Sequence, residues 1–170
     1  NILHVLSQTE LTGAETYALD LGAHQTAGGH SVFVVSDKIH LPTDLEVINQ
    51  PISKRSYAQR WKNIRFLRKL IEEKKIDLVH AHSRAASWIC HHATRGTSAG
   101  YISTVHGRQH LHLSLKLHDI YGDRVIAVSP NIRRHLIDEV KMDPAKISSI
   151  PNGVDFDGYR PNVQAPQRMR

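Results

Sequence analysis

The chain is 170 residues long, 40% apolar and 22% charged, the size and mix of one globular domain with a short tail. Its 22 Lys and Arg outnumber its 16 Asp and Glu, for a net charge of +6, with 13 His in reserve. The single cysteine, Cys90, excludes an internal disulfide framework and any all-cysteine zinc site, and no apolar run approaches the ~18 residues of a membrane span. Residues 2–6 are too short for a secretory signal, so the composition reads as a water-soluble domain of a reducing compartment.

Seven short apolar, β-branched runs alternate with helical patterns. They lie at 2–6, 32–35, 45–48, 78–81, 101–105, 124–128 and 147–150. Most are too apolar for a strand with one wet face, which predicts a parallel sheet of about seven strands covered on both faces through right-handed βαβ crossovers, a Rossmann-like α/β fold.

The helices announce their own starts. Thr12-Gly13-Ala14-Glu15 has capping-box spacing, with Thr12 as N-cap and Glu15 able to reach back. Ala14, Tyr17, Ala18 and Leu21 then predict a buried face, and Gly28-Gly29 a stop. Tyr57, Trp61, Ile64, Leu67 and Ile71 predict the buried stripe of a second helix, whose outer face is basic. Ser83 caps a third helix running to about Ala93, and Ser129-Pro130 opens a fourth with inner residues Ile132, Leu136, Ile137 and Val140. Residues 156–170 carry two prolines and no period, and read as a linker or tail after a domain at 1–155.

In an open parallel sheet, ligands bind outside the carboxyl ends of the strands. The residues placed there are rich in His, Ser, Asn and Gly, which hydrogen-bond sugars and phosphates. Thr12-Gly13-Ala14 opens a helix, whose N-terminal N–H groups suit a phosphate. His106 closes a strand and precedes Gly107, where an imidazole can exchange a proton near neutral pH. His80 and His82 share a strand face; one is expected under a helix and the other, His82, toward the crevice. The dinucleotide fingerprint G-x-G-x-x-G, the P-loop and the G-x-S-x-G elbow are all missing. His106, His110, His112 and His80-x-His82 invite a metal reading, but no acidic residue lies among them, and no metal is expected. The basic stretch 54–75 suits an anionic membrane surface; without a nucleic-acid motif, nucleic acid is not an expected partner.

Four ordered segments resemble the N-terminal half of the GT-B glycosyltransferases of the large retaining family four. They are Leu6-Ser7-Gln8 with Thr12-Gly13-Ala14-Glu15-Thr16; Ile76-Asp77-Leu78-Val79-His80-Ala81-His82-Ser83; Ser103-Thr104-Val105-His106-Gly107; and Val125-Ile126-Ala127-Val128-Ser129 with Ile150-Pro151-Asn152-Gly153-Val154-Asp155. The resemblance implies transfer of a sugar from a nucleotide-diphospho-sugar to a saccharide or lipid-linked acceptor, such as one of lipopolysaccharide or another surface glycan, with retention and without a cofactor or metal. It places His106 near the reacting centre as the catalytic residue and Gly13 with Ala14 against the donor pyrophosphate. Their places just after the strands make Thr12, Glu15, His82, Ser83, Arg84, Arg108, Ser129 and Asn152 the expected substrate contacts. The site of action the resemblance implies is the cytoplasm, at the inner face of the plasma membrane.

The sequence departs from the family pattern at three points. Thr-Gly-Ala-Glu stands where a double glycine is common, Arg108 follows His106-Gly107, and no two Glu have the Glu-x7-Glu spacing of the donor lobe. The isolated chain is therefore expected to lack turnover. The alternatives are a non-catalytic module that binds glycan or a partner, and a histidine-rich metal hydrolase.

Overall fold

The computed structural model describes residues 1–7, 10–108 and 119–153. All seven expected strands form: β1 (Ile2–Val5), β2 (Val32–Ser36), β3 (Glu46–Asn49), β4 (Leu78–Ala81), β5 (Gly100–Val105), β6 (Arg124–Ala127) and β7 (Ile147–Ser149). They make one wholly parallel sheet in the order β3-β2-β1-β4-β5-β6-β7. The central strands β1 and β2 are buried on both faces, as their continuous apolar runs require. The edge strands β3 and β7 are half-wet, because each has only one strand neighbour.

Four helices stand at the predicted places: α1 (Gly13–Ala27), α2 (Tyr57–Glu73), α3 (Arg84–Thr94) and α4 (Pro130–Asp138). On one face of the sheet, Leu3, Val5, Val35, Val79 and Ala81 pack against Ile64, Leu67 and Ile71 of α2 and Ala86, Ile89 and Cys90 of α3. Val105, Val125 and Ala127 continue that face under Ile132 and Leu136 of α4. On the other face, Leu6 and Val34 meet Ala18 and Leu19 of α1. Ser83 and Ser129 are N-caps as expected, accepting from the amides of Ala86 (3.2 Å) and Ile132 (3.2 Å).

Three expectations are corrected. Tyr57 and Trp61 are 78% and 64% exposed, so the core stripe of α2 begins only at Asn63 and Ile64. The buried face of α1 is Glu15, Ala18, Leu19 and Gly22, leaving Ala14, Tyr17 and Leu21 half-buried. There is no capping box: Thr12 has the extended N-cap backbone but its side chain makes no cap bond, and Glu15 points elsewhere. Gln8, His110, His112, the Val154-Asp155 end of the domain and the 156–170 tail lie outside the described residues.

Candidate functional site

Strand order reverses direction at β1 and β4. From β1 the chain builds outward through β2 to β3, and from β4 it builds the other way to β7. A crevice therefore opens beyond the carboxyl ends of β1 and β4. Ser7 and Ser83, which follow these strands, join across it by their hydroxyls at 2.7 Å. The N-terminus of α1 borders the same crevice. Thr12 and Gly13 are exposed, and a Cβ on Gly13 would meet nothing within 4 Å. With no side chain of Thr12 capping it, the helix end leaves the N–H groups of Gly13 and Ala14 for an anion, those of Glu15 and Thr16 donating to the Thr12 carbonyl.

Parallel pairing sets His4 directly beside His80, and the two-residue period carries His82 onto the same face. Their rings, with His106 just past β5, form a four-histidine cluster. Ring centroids are 4.1 Å apart for His80 and His82, 5.1 Å for His4 and His82, and 5.8 Å for His82 and His106. Tyr17, one turn along α1 from Gly13, lies edge-on to His106 at 4.9 Å and 5.7 Å from His82. Tyr17 thus connects the Gly13 end of α1 to His106, at the cleft, and to His82, buried beneath it.

The first three histidines are at most 2% exposed, so the expectation that His82 opens to the crevice while His80 is covered is corrected: both lie in the interior, and only His106 is half-buried. Burial lowers the pKa of His4 and pushes those of His80 and His82 well down, with the neighbouring imidazoles adding to the last two. His106 is brought down to about 4 by burial. All four rings are neutral at pH 7. His4 Nε2 donates to Gln25 Oε1 at 2.7 Å, His4 Nδ1 lies 2.8 Å from His82 Nε2, and His80 Nε2 lies 2.7 Å from Thr104 Oγ1. Two buried ring nitrogens of the cluster have no partner among the described residues: Nδ1 of His82 and Nε2 of His106.

His4, His80 and His82 each bring a nitrogen within 4.8 Å of the others, the one such three-ligand group among the described residues. The fit to a metal is poor. His4 spends both nitrogens on Gln25 and His82, His80 has one on Thr104, and no carboxylate or thiolate belongs to the set.

Glu15 is not a substrate contact here. Its fully buried carboxylate turns away from the helix end and accepts from the amides of His40 (2.6 Å) and Leu41 (2.9 Å) and from His40 Nδ1 (2.9 Å). It ties the loop after β2 beneath the first turn of α1. Arg108 forms an ion pair with Glu139 at the end of α4. Arg84 opens α3, near enough to Tyr121 to oppose the burial that pushes that phenol up to about 12. Ser83 and Ser129 serve as caps, while Asn152, after β7, is exposed on the same strand-end rim. Sequence reasoning missed His4 and Gln25. A signal existed for His4: its alternate position in a first strand that must neighbour β4.

The Glycosyltransferase Family 4 pattern matches residues 11–157. The chain is 32% identical over 120 residues to the "UDP-Gal:alpha-D-GlcNAc-diphosphoundecaprenol alpha-1,3-galactosyltransferase" of Escherichia coli, an alignment covering 64% of this chain and 31% of that protein. It is 25% identical over 175 aligned positions, covering 89% of this chain and 38% of the relative, to the GPI3 subunit of phosphatidylinositol N-acetylglucosaminyltransferase of Saccharomyces cerevisiae. A crystal structure of a glycosyltransferase from Rickettsia africae superposes with a TM-score of 0.82 at 26% identity, covering 92% of this chain and 44% of that one. The chain matches 31–44% of the length of these proteins.

Proposed function

The chain belongs to glycosyltransferase family 4, and from that premise we propose that it is the acceptor-side lobe of an enzyme that moves a sugar, with retention, from a nucleotide-diphospho-sugar to a lipid-linked or glycan acceptor. The observation that supports the reading best is the shared cleft: an open helix N-terminus at Gly13, one turn from Tyr17, which touches the His106 ring at 4.9 Å. The first turn of α1 supplies N–H groups and a partial positive charge for the pyrophosphate that leaves. His106, neutral at pH 7, offers a fixed dipole and a hydrogen bond beside a carbon that becomes oxocarbenium-like, without a charge of its own to repel it. The names of the Escherichia coli and yeast relatives describe sugars placed on lipid carriers, which favours a lipid-linked acceptor.

A second lobe holds the rest of the donor pocket, so the 170-residue chain alone does not turn over. In the longer protein that includes that lobe, His106→Ala lowers kcat at least a hundredfold with the fold unchanged, and NMR of the product reports the donor's anomeric configuration. A near-normal rate would make His106 structural, an inverted product would remove retention, and robust transfer by the isolated chain would remove the second lobe from the account.

The acceptor reaches this lobe at an anionic membrane. Residues 54–69 hold seven Lys and Arg and no acidic residue. Arg68 is spent on the carbonyls of His92, Ala93 and Arg95, and Arg60 also lies over the Trp88 ring at 4.8 Å. Tyr57 and Trp61 stand exposed among these charges, one turn apart at the start of α2. Aromatic side chains with Lys and Arg around them suit the headgroup layer, where each cation is worth ~1 kcal/mol. Among the described residues no helix is long and apolar enough to cross a membrane. On this reading the basic, aromatic start of α2 rests on the cytoplasmic face of the membrane. Vesicles with phosphatidylglycerol should sediment the chain and vesicles of phosphatidylcholine should not; equal binding of a Tyr57→Ser/Trp61→Ser variant would refute the aromatic contribution.

A further inference from the structure

Imidazoles that bond to one another share one proton per bond, so the tautomer of each ring constrains the next. Among the described residues two nitrogens of the histidine cluster are buried without a partner, His82 Nδ1 and His106 Nε2. They belong to neighbouring rings, with centroids 5.8 Å apart. The His4 and His82 rings, bonded nitrogen to nitrogen at 2.8 Å, have centroids 5.1 Å apart. The unbonded pair is therefore less than an ångström wider than a bonded one. His106 is half-buried, and of its two nitrogens only Nε2 is fully covered, so Nδ1 is the one that opens on the crevice.

The proton positions follow from the far end of the cluster. The Gln25 carboxamide oxygen can only accept, so His4 Nε2, 2.7 Å away, carries a proton. A neutral imidazole has one N–H, which leaves His4 Nδ1 as a lone pair. His82 Nε2 must then donate to it, and His82 Nδ1 is left bare. Burial of both rings keeps a second proton off either one. A bare buried lone pair is compensated by an N–H, and the neighbouring unpaired nitrogen, His106 Nε2, can supply one. A second lone pair there would leave both atoms uncompensated.

We infer that Gln25, His4 and His82 are positioning residues that fix the tautomer of His106: its Nε2–H donates inward to His82 Nδ1, and its Nδ1 faces the crevice as a lone pair. No bound molecule has to enter the interior, because the relay runs from side chain to side chain and only His106 meets the crevice. The lone pair is the negative end of the imidazole dipole. This tautomer turns that end toward a carbon that gains positive charge, where the other would turn an N–H toward it. The direction of the whole relay is set at Gln25, a half-buried residue on α1, remote from the reaction. The carbon rests on the glycosyl-transfer reading above; the tautomers do not.

The test labels the histidines of the 170-residue chain with nitrogen-15 and reads the protonated ring nitrogens by long-range proton–nitrogen correlation at pH 7. The expected result is one proton on Nε2 of each of His4, His82 and His106. Gln25→Lys supplies a donor where the oxygen accepted, and moves the proton to Nδ1 on all three rings. Gln25→Leu supplies neither, and leaves His106 divided between its two tautomers. In the longer enzyme Gln25→Lys lowers kcat about tenfold with KM little changed, since the dipole acts on charge that develops only in the transition state. A proton on Nδ1 of His4 or His106 in the unaltered chain overturns the relay, as does a His106 that keeps Nε2–H in both variants. A tautomer that flips in Gln25→Lys with kcat unchanged overturns the role given to the His106 lone pair. No transfer by the unaltered longer protein overturns the glycosyl-transfer reading and leaves the tautomer result standing.

Discussion

Removing the Glu15 carboxylate separates two roles that the same residue could hold. A capping box predicts that Glu15→Ala costs only a helix cap, about 0.5–2 kcal/mol. The structure predicts more. Oε1 takes the amides of both His40 and Leu41, and Oε2 takes His40 Nδ1, all from a side chain with no exposed surface. Alanine strands two backbone N–H groups and an imidazole in a half-buried loop. At about 1–3 kcal/mol per orphaned group, discounted because water reaches that loop, the loss is about 2–4 kcal/mol. Glu15→Gln keeps Oε1 for both amides and changes only the His40 contact, so it costs roughly 1 kcal/mol. Urea unfolding of the chain at pH 7 measures both. The unaltered chain and the Gln variant also differ in acid. Burial works to raise the Glu15 pKa, but the bonds from His40 and Leu41 outweigh it and bring it below 4.5. A folded-state pKa below the unfolded one means the stabilisation is full above about pH 4.5 and drains as pH falls through the folded value. Glu15→Gln lacks that loss. An alanine cost under 1 kcal/mol, or identical acid profiles for the unaltered chain and the Gln variant, would refute the clamp.

The histidine cluster acts at a higher pH. Its folded-state pKa values lie below the usual 6.5, that of His106 at about 4, so unfolding takes up protons. Stability is complete above about pH 6.5 and declines from there toward pH 4, and a melting temperature unchanged between pH 7 and 5 would contradict it. Gly122 has φ +93°, and a Cβ there would come within 2.8 Å of the Tyr101 ring as well as meeting its backbone; Gly122→Ala should cost about 2 kcal/mol in urea unfolding. Elemental analysis of the purified chain should find no stoichiometric zinc or iron, since the three-histidine group is already bonded to itself and to Gln25 and Thr104. One equivalent of either metal would restore the hydrolase reading.

The sheet was legible because burial on two faces leaves a mark in a single strand: unbroken runs such as Val32-Phe33-Val34-Val35 need no partner to be recognised. Ser83 and Ser129 were legible for the same local reason, since a cap is decided within one turn. What failed was whatever depends on a distant segment. Glu15 has capping spacing, but its three donors come from the loop at 40–41, and the long-range bonds win. The period of α2 runs correctly from Ile64 to Ile71 and, extended backward, puts Tyr57 and Trp61 inside. Among the described residues no neighbour covers that end, and both side chains are exposed. His106 and Gly13 were found by their place after strands, yet His4 became visible only when strand pairing put it against His80.

Because β1 lies between β2 and β4, its edges are satisfied by segments about 30 and 76 residues later in the chain. This strand is made before both partners, and its edge toward β4 stays unpaired until Leu78–Ala81 has left the ribosome. The cleft waits longer still, since His106 follows a fifth strand. A ribosome stalled at the codon for Lys75 should therefore hold a nascent chain open to protease and to chaperones, and release from that state should coincide with arrival of the fourth and fifth strands.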